Sequence, residues 1–479
     1  MNRIQFFFFL TIEDKIPKID DHFKKLCEEG LKLGELDEVI KKIASDRSPG
    51  PDGLTANFYK HFWEEIKGLL FDAIIESIDK KELMTTMKQG LIKLIPKPEK
   101  DKRILNNLRP ITLLNTDYKL LTMELAFRLK VGLSKIISNS QSGFMKGRLI
   151  HNNIRLVLDL IDYNDLVEDD AYILFLDFQK AFYSIEHSFI YYALEYFGFG
   201  EYFLDIIKML HTDISSCVSL PEGTTPRFNI CRGIRQGCSL SPLLFIIVAE
   251  LLSIWLKNSE IEGINIDGKQ ILISQLADDT TLFLKNKDEI PVILQRMRLF
   301  SQASGLTLNL NKCELLSIHD SSETMLYNIP VKKEVRYLGI WVSKDSRTSN
   351  NKNIQKPIEK SRKILNNWLQ RDLTLFGRSL LTKTELISRL IYPAYLSIKN
   401  LKEINTLIFN FIWKNKHHYI KKSVVMNNYE SGGLNFLDFN TLNNTFKMNW
   451  AKHFLKNPVS IWNFIPHIYS LALLVWALF

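Results

Sequence analysis

The most constraining stretch of the chain is Ala171-Tyr172-Ile173-Leu174-Phe175-Leu176-Asp177-Phe178. A continuous apolar run of this length predicts a strand buried on both faces. It ends in an aspartate, and a carboxylate at the end of a buried strand is costly unless it is paired or bound to a metal. Asp177 is therefore a stronger site candidate than an ordinary aspartate.

A second acidic feature lies in Gln275-Leu276-Ala277-Asp278-Asp279-Thr280-Thr281-Leu282-Phe283-Leu284. The flanks Ile271-Leu272-Ile273 and Leu282-Phe283-Leu284 read as two short strands, with Ala277 to Thr280 as the turn between them. Adjacent carboxylates repel, the more so when removed from water, and a hard divalent cation with oxygen ligands offsets that repulsion. Taken alone, an Asp-Asp turn reads as a solvated surface turn. Paired with Asp177 it becomes half of a metal site, with Asp278 ranked ahead of Asp279 as the ligand.

The chain has 479 residues, enough for two to four folding units, and its formal charge of +9 points to a polyanionic partner, nucleic acid first. The five cysteines contain no C-x-x-C pair, which argues against a disulfide framework or zinc knuckle and for a reducing compartment. The apolar start at Phe6–Leu10 lacks a small-residue cleavage site, and the apolar end Ile468–Phe479 is shorter than a span and reads as a core helix. No membrane segment is expected, and the localisation is intracellular, in cytoplasm and/or nucleus.

In chain order, residues 12 to 45 are helical in pattern, and Ser48-Pro49-Gly50-Pro51-Asp52-Gly53 is a loop. An aromatic helix starts around Phe58, Phe62 and Trp63. Strands at Leu91–Ile95 and Asn107–Leu114 form a hairpin carrying Lys97 and Arg109. Each cation alone reads as a surface charge; together they suit a triphosphate, because arginine offers phosphate oxygens a fixed fork of donors. Leu120 to Ile137 is a helix, and Gln141–Arg148 is a basic loop suited to a backbone or template contact.

Phe182 could be core or a pocket wall, and the sequence alone favours core. Gly233 and Gly237 bracket a turn before a helix that opens at Ser239 or Ser241, with Pro242 in its first turn. Such a turn can bring backbone N–H groups to a nucleotide. Tyr337–Val342 reads as one short strand around Gly339. Residues 351 to 383 hold eight cations against Glu359 and Asp372, a net +6 on a helical pattern suited to a nucleic-acid backbone or equally to a solvated face. Residues 401 to 456 are again helical, with Lys414, Lys416, Lys421 and Lys422 among Trp413, Tyr419 and Trp450.

Carboxylates from two strands, phosphate-binding cations and a basic helical region are the inventory of phosphoryl transfer to a growing strand. The sequence also resembles the reverse transcriptase of non-LTR retrotransposons, of the long-interspersed-element type, from about Ser48 to about Leu455. Nine stretches carry the resemblance in the family's order: Ser48–Gly53, Leu94–Pro98, Leu108–Asn115, Gln141–Phe144, Phe175–Phe182, Gly233–Pro242, Ala277–Asp279, Leu306–Lys312 and Tyr337–Gly339.

The resemblance implies an α+β right-hand polymerase with fingers, a palm built on an antiparallel sheet, and a helical thumb. It divides the chain into an N-terminal helical extension (1–47), fingers and palm (48–345), a thumb-like basic region (346–400) and a helical C-terminal region (401–479). It implies two Mg²⁺ ions, with Mn²⁺ as the alternative, held by Asp177, Asp278 and Asp279 and by the backbone carbonyl of Phe178. It places Lys97 and Arg109 on the incoming triphosphate and Gln236 and Gly237 in the nucleotide and template pocket. It makes Lys312 the proton donor to pyrophosphate and Phe182 an aromatic sugar gate favouring dNTPs. The implied partners are an RNA template, a DNA primer and dNTPs.

The sequence departs from the family at Tyr183, where aspartate is usual, and at Leu276, where an aromatic is preferred. It also shows no upstream endonuclease domain, so it reads as a piece of a larger element protein. The competing expectation is a catalytically silent remnant that only binds nucleic acid.

Overall fold

The structure, a computed structural model, describes residues 2–98, 100–167, 170–319, 321–394, 401–456, 461–463 and 465–466. The apolar end Ile468–Phe479 lies outside the described residues. The architecture is α+β, with two larger sheets inside a mostly helical shell. Among the described residues no helix is long and apolar enough to cross a membrane.

The central sheet has six strands in the order Met325–Leu326, Ile329–Lys332, Glu314–Ser317, Tyr172–Leu176, Asp279–Leu284, Ile273–Leu276. Tyr172–Leu176 is thus an inner strand, and all five of its residues are buried. Its neighbours explain why: Asp279–Leu284 pairs with it antiparallel on one side and Glu314–Ser317 on the other. The helix Ser241–Lys257, apolar on nearly every position, belongs to the same core. It opens at Ser241 with Pro242 in its first turn, and neither Ser239 nor Ser241 caps it.

A second, five-stranded sheet carries the basic hairpin. Gln89–Pro96 pairs antiparallel with Leu108–Leu114, Ile95 standing opposite Arg109. Its other edge runs parallel to Ser215–Leu220.

Three expectations change in detail. The acidic turn is tighter than read: Leu276 pairs with Asp279, so the loop is Ala277-Asp278 alone and Asp279 and Thr280 belong to the strand. Its preceding strand is Ile273–Leu276, with Ile271 closing a separate small hairpin. Tyr337–Val342 is not one strand but a hairpin, Glu334–Tyr337 with Ile340–Ser343, because Leu338 and Gly339 both take positive φ and reverse the chain. A helix at Arg3–Ile12 comes first, and the helical pattern of residues 12 to 45 resolves into two more, Asp21–Glu28 and Leu33–Lys42. The first buries Phe8 and Phe9 in the main core.

Buried residues from Ile354 to Ala394 and from Ile404 to Phe446 form their own apolar core around Ile358, Leu365, Leu390 and Phe409. The helix Lys356–Leu369 buries Ile358, Ser361 and Leu365. Lys356, Lys360 and Lys363 recur at helical spacing on its exposed side. The aromatics further on differ: Trp413 is buried, whereas Tyr419 is exposed.

Candidate active site

The last registered pair between the two central strands is Leu176 with Thr280. Asp177 and Asp279 therefore leave the same end of one ladder, with Asp278 in the turn beside them. Removal from bulk water raises the Asp278 carboxyl above the ordinary aspartate range, and repulsion from Asp177 adds to it. The same loss of water pushes Asp279 up to about 6, with Asp278 and then Asp177 contributing. Asp279 is the most solvent-exposed of the three, and Asp278 is half-buried.

Asp177 is fixed through its backbone, its carbonyl accepting from the Asn309 N–H at 2.8 Å. The Gln179 N–H donates to the Thr307 carbonyl at 2.8 Å, so Phe178 and Leu308 form an antiparallel bridge without bonds of their own. In that pattern the Phe178 N–H and C=O point to the opposite edge of the chain, the side of the central sheet where the Asp278 turn lies. The loop that follows places Lys312 in a short 3-10 turn, its Nζ 3.6 Å from Asp177 Oδ2. That is an ion pair beyond hydrogen-bond reach.

Sequence reasoning missed the group that shapes the acidic turn. Ala277 has φ 55°, a left-handed conformation unfavourable for a residue with a Cβ. The fully buried Gln141 side chain holds it there. Its Oε1 accepts from the Ala277 N–H at 2.9 Å and from the Gly143 N–H at 2.7 Å. Its Nε2 donates to the Ala277 carbonyl at 3.4 Å. Ser142 N–H and Gln275 N–H complete the stitch, donating to Gln275 and Ser140 carbonyls. A glutamine opening a glycine loop was the available signal, but nothing local said which turn it would grip.

The same loop corrects a second expectation. Arg148, read as a template contact, is consumed internally: its guanidinium donates to the carbonyls of Ile137, Ser138 and Gln141. Burial lowers its pKa from the ordinary arginine value. Lys146 remains exposed.

On the nucleotide side the structure brings the remaining candidates together through backbone contacts. The Tyr183 hydroxyl donates to the Pro110 carbonyl, one residue from Arg109. The Thr112 N–H donates to the Gln236 carbonyl at 3.1 Å. Gly237 has φ 117°, and a Cβ there would stand 2.4 Å from the Thr112 carbonyl oxygen, so only glycine fits. Gly233 N–H and Ile234 N–H donate to the carbonyls of Ile185 and Phe182, each at 2.7 Å.

The basic hairpin, the glycine turn and the Phe182-Tyr183 segment are thus one framework. Within it Phe182 is half-buried, its ring stacked on Phe245 with centroids 4.4 Å apart. It serves as core and wall at once. Arg109 is exposed, and its guanidinium has no ion-pair or hydrogen-bond partner among the described residues. Lys97 donates to the Asn106 carbonyl at 2.9 Å, bracing its own loop.

The carboxylates fit a divalent cation. Asp177 Oδ2 is buried and accepts no hydrogen bond, its cationic neighbour being the Lys312 ammonium at 3.6 Å, and it lies beside two carboxyls that resist ionising. Among the described residues no group of three or more His, Cys, Asp or Glu forms a metal cage by itself. A site of this kind suits a small hard cation that takes one or two carboxylates and completes its shell with water and substrate oxygens.

Carboxylates at the end of an antiparallel strand pair, joined to a cationic hairpin through a glycine turn, are the layout of a nucleotidyl-transferring polymerase. Residues 95–342 match the reverse transcriptase (RNA-dependent DNA polymerase) family, and the chain belongs to that family. It is 25% identical to the 149 kDa protein of transposon TX1 from Xenopus laevis over 92% of this chain and 34% of that one. It is 27% identical to the Pol polyprotein of the type-2 retrotransposable element R2DM from Drosophila melanogaster, over 60% of this chain and 26% of that one. The relatives are proteins of non-LTR retrotransposons, and the chain spans about a third of their length or less. Among solved structures it is similar to a telomerase from Candida albicans in complex with a fragment of telomeric RNA, at 14% identity and TM-score 0.38 over 75% of this chain and 64% of that one.

Proposed function

We propose that the chain is the polymerase portion of a non-LTR retrotransposon protein and extends a DNA primer with dNTPs on an RNA template. The observation that carries this reading is the buried Asp177 oxygen, without a hydrogen-bond donor, beside the Asp278 turn, inside a chain of the reverse transcriptase family. Asp177 and Asp278 would hold the divalent cations, with Asp279 and the Phe178 carbonyl completing the protein's share. Mg²⁺ is the expected ion, with Mn²⁺ as the alternative; when bound, such ions supply charge that favours the primer hydroxylate and the departing oxygen.

The chain's own residues do the rest. Arg109 would fork onto the triphosphate, joined by Lys97 once it releases the Asn106 carbonyl. Phe182, backed by Phe245, would press on the sugar and disfavour a 2′-hydroxyl. Gln236 and Gly237 would line the floor for the base pair. Lys312, its Nζ 3.6 Å from Asp177 Oδ2, would be the proton donor to the departing pyrophosphate. The fingers and palm would occupy residues 48–345, and the basic region 346–400 would track the duplex backbone as the thumb.

The test is primer extension on poly(rA)/oligo(dT) with Mg²⁺ and dTTP, beside an Asp278→Asn control. Extension by the wild type and none by the control is the expected result. Equal signals from both would overturn the assignment and leave nucleic-acid binding alone.

A further inference from the structure

Phe144 follows Gly143, whose backbone lies so close to the acidic turn that a Cβ on it would stand 2.5 Å from the Ala277 nitrogen. It has φ 58°, a left-handed conformation that a bulky side chain adopts only at a cost. Its side chain is not what repays that cost. The residue is 52% exposed, and among the described residues its ring meets no other aromatic ring. Its neighbours Gly143 and Met145 are buried, so the loop turns inward on both sides of it and leaves one aromatic outside. The Gln141 bonds to Gly143 and Ala277 fix the loop in place. The sequence therefore spends backbone strain to present a phenylalanine to solvent one residue along from the contact with the catalytic turn, where a glycine or asparagine would sit at lower cost. Strain held at such a place is a mark of function.

We propose that Phe144 is a stacking platform for a nucleobase of the primer–template at the Asp177–Asp278 site. An exposed ring held rigidly beside a cation is an element with which proteins bind bases without reading their identity. Lys146, exposed two residues on, supplies the adjacent charge for the phosphodiester of the same nucleotide. The proposal rests on the polymerase reading and adds a nucleic-acid contact to it. Either strand offers the same chemistry, a π-face with a flanking phosphate.

The test uses the full chain, without dNTPs, and an RNA–DNA primer–template carrying 2-aminopurine either at the primer 3′ end or at the template position opposite it. Binding by the wild type is expected to change the fluorescence in one of the two arms, which names the strand. Phe144→Ala is expected to abolish that change and to weaken binding about tenfold, and Phe144→Trp to restore both. Phe144→Gly is expected to melt at or above the wild-type temperature, because glycine takes φ 58° freely. Wild-type affinity and an unchanged fluorescence response in Phe144→Ala would overturn the platform while leaving the polymerase reading intact. A Phe144→Gly protein that melts well below the wild type would also overturn it, showing the ring to be packed. Failure of the wild type to bind the primer–template at all would instead remove the polymerase reading and the platform with it.

Discussion

Gln141 and Ala277 are bound to each other twice, the Ala277 N–H to Gln141 Oε1 at 2.9 Å and Gln141 Nε2 to the Ala277 carbonyl at 3.4 Å. The pair converts an unfavourable backbone conformation into a fixed one, and Asp278 follows directly in the chain. Gln141→Ala would leave the Ala277 and Gly143 N–H groups buried without an acceptor, costing about 2–4 kcal/mol. Primer extension is expected to lose turnover more than nucleotide affinity, because the displaced group is the carboxylate turn. A Gln141→Ala enzyme with normal turnover would show that the turn holds its shape without the clamp.

Tyr183 stands where the sequence departs from its family, and the departure reads as a lost interaction. In the structure its hydroxyl donates to the Pro110 carbonyl and ties the basic hairpin to the segment after Asp177. Tyr183→Phe is expected to cost about 1 kcal/mol of stability. It should also raise the KM for dNTP, since Arg109 adjoins the freed carbonyl, with little change in kcat. Thermal melts and steady-state kinetics on dTTP measure the two; a fall in kcat with KM unchanged would place Tyr183 in the chemistry instead.

Most of the framework was legible because it is written in local pattern. Tyr172–Leu176 reads as a buried strand from its unbroken apolar run, and the helix Ser241–Lys257 from its length and Pro242. The two hairpins were legible from paired apolar runs, although Ala277-Asp278 shows the bounds of a turn to be set by partner strands. Gln141 and Tyr183 were not legible, because what they do depends on carbonyls and N–H groups that are distant in sequence, and Arg148 was not because the fold of its own loop turns it onto carbonyls 7 to 11 residues back. Gln141 meets Ala277 across 136 positions and Tyr183 meets Pro110 across 73. No periodicity encodes such a meeting, whereas a glycine such as Gly237 can be flagged from sequence even though its partner, the Thr112 carbonyl, cannot.

Lys312 lies 3.6 Å from Asp177 Oδ2 and competes electrostatically with any cation that the carboxylate holds. Lys312→Met therefore has effects of opposite sign. The metal concentration for half-maximal activity is expected to fall by a few-fold, because Asp177 loses a rival positive charge. Turnover is expected to fall by about 10²-fold or more, the usual contribution of a positioned proton donor. A metal titration of primer extension gives both numbers at once. If the metal requirement rose, Lys312 would be supporting the ion site and not opposing it.

Asp279 gives the molecule a pH dependence with a definite sign. Its folded-state carboxyl, pushed up to about 6 by loss of water and by Asp278 and Asp177, lies above the ordinary 3.8. The folded protein therefore binds this proton more tightly than the unfolded chain does. The associated stability is present below pH 3.8 and is lost as pH rises through about 6. Asp278 shifts in the same direction. Without divalent cations the melting temperature is thus expected to decline from pH 5 to pH 7 by an amount that Asp279→Asn reduces. Because Asp279 is exposed and its repulsion is screened, the gain from that substitution at pH 7 is about 1 kcal/mol. Adding Mg²⁺ should reverse the trend, lifting the wild-type melt more at pH 7 than at pH 5, since protons and the cation compete for the same oxygens. Melting curves across this range, with and without Mg²⁺, decide the matter: parallel profiles for the wild type and Asp279→Asn would mean that the three carboxylates do not share one site.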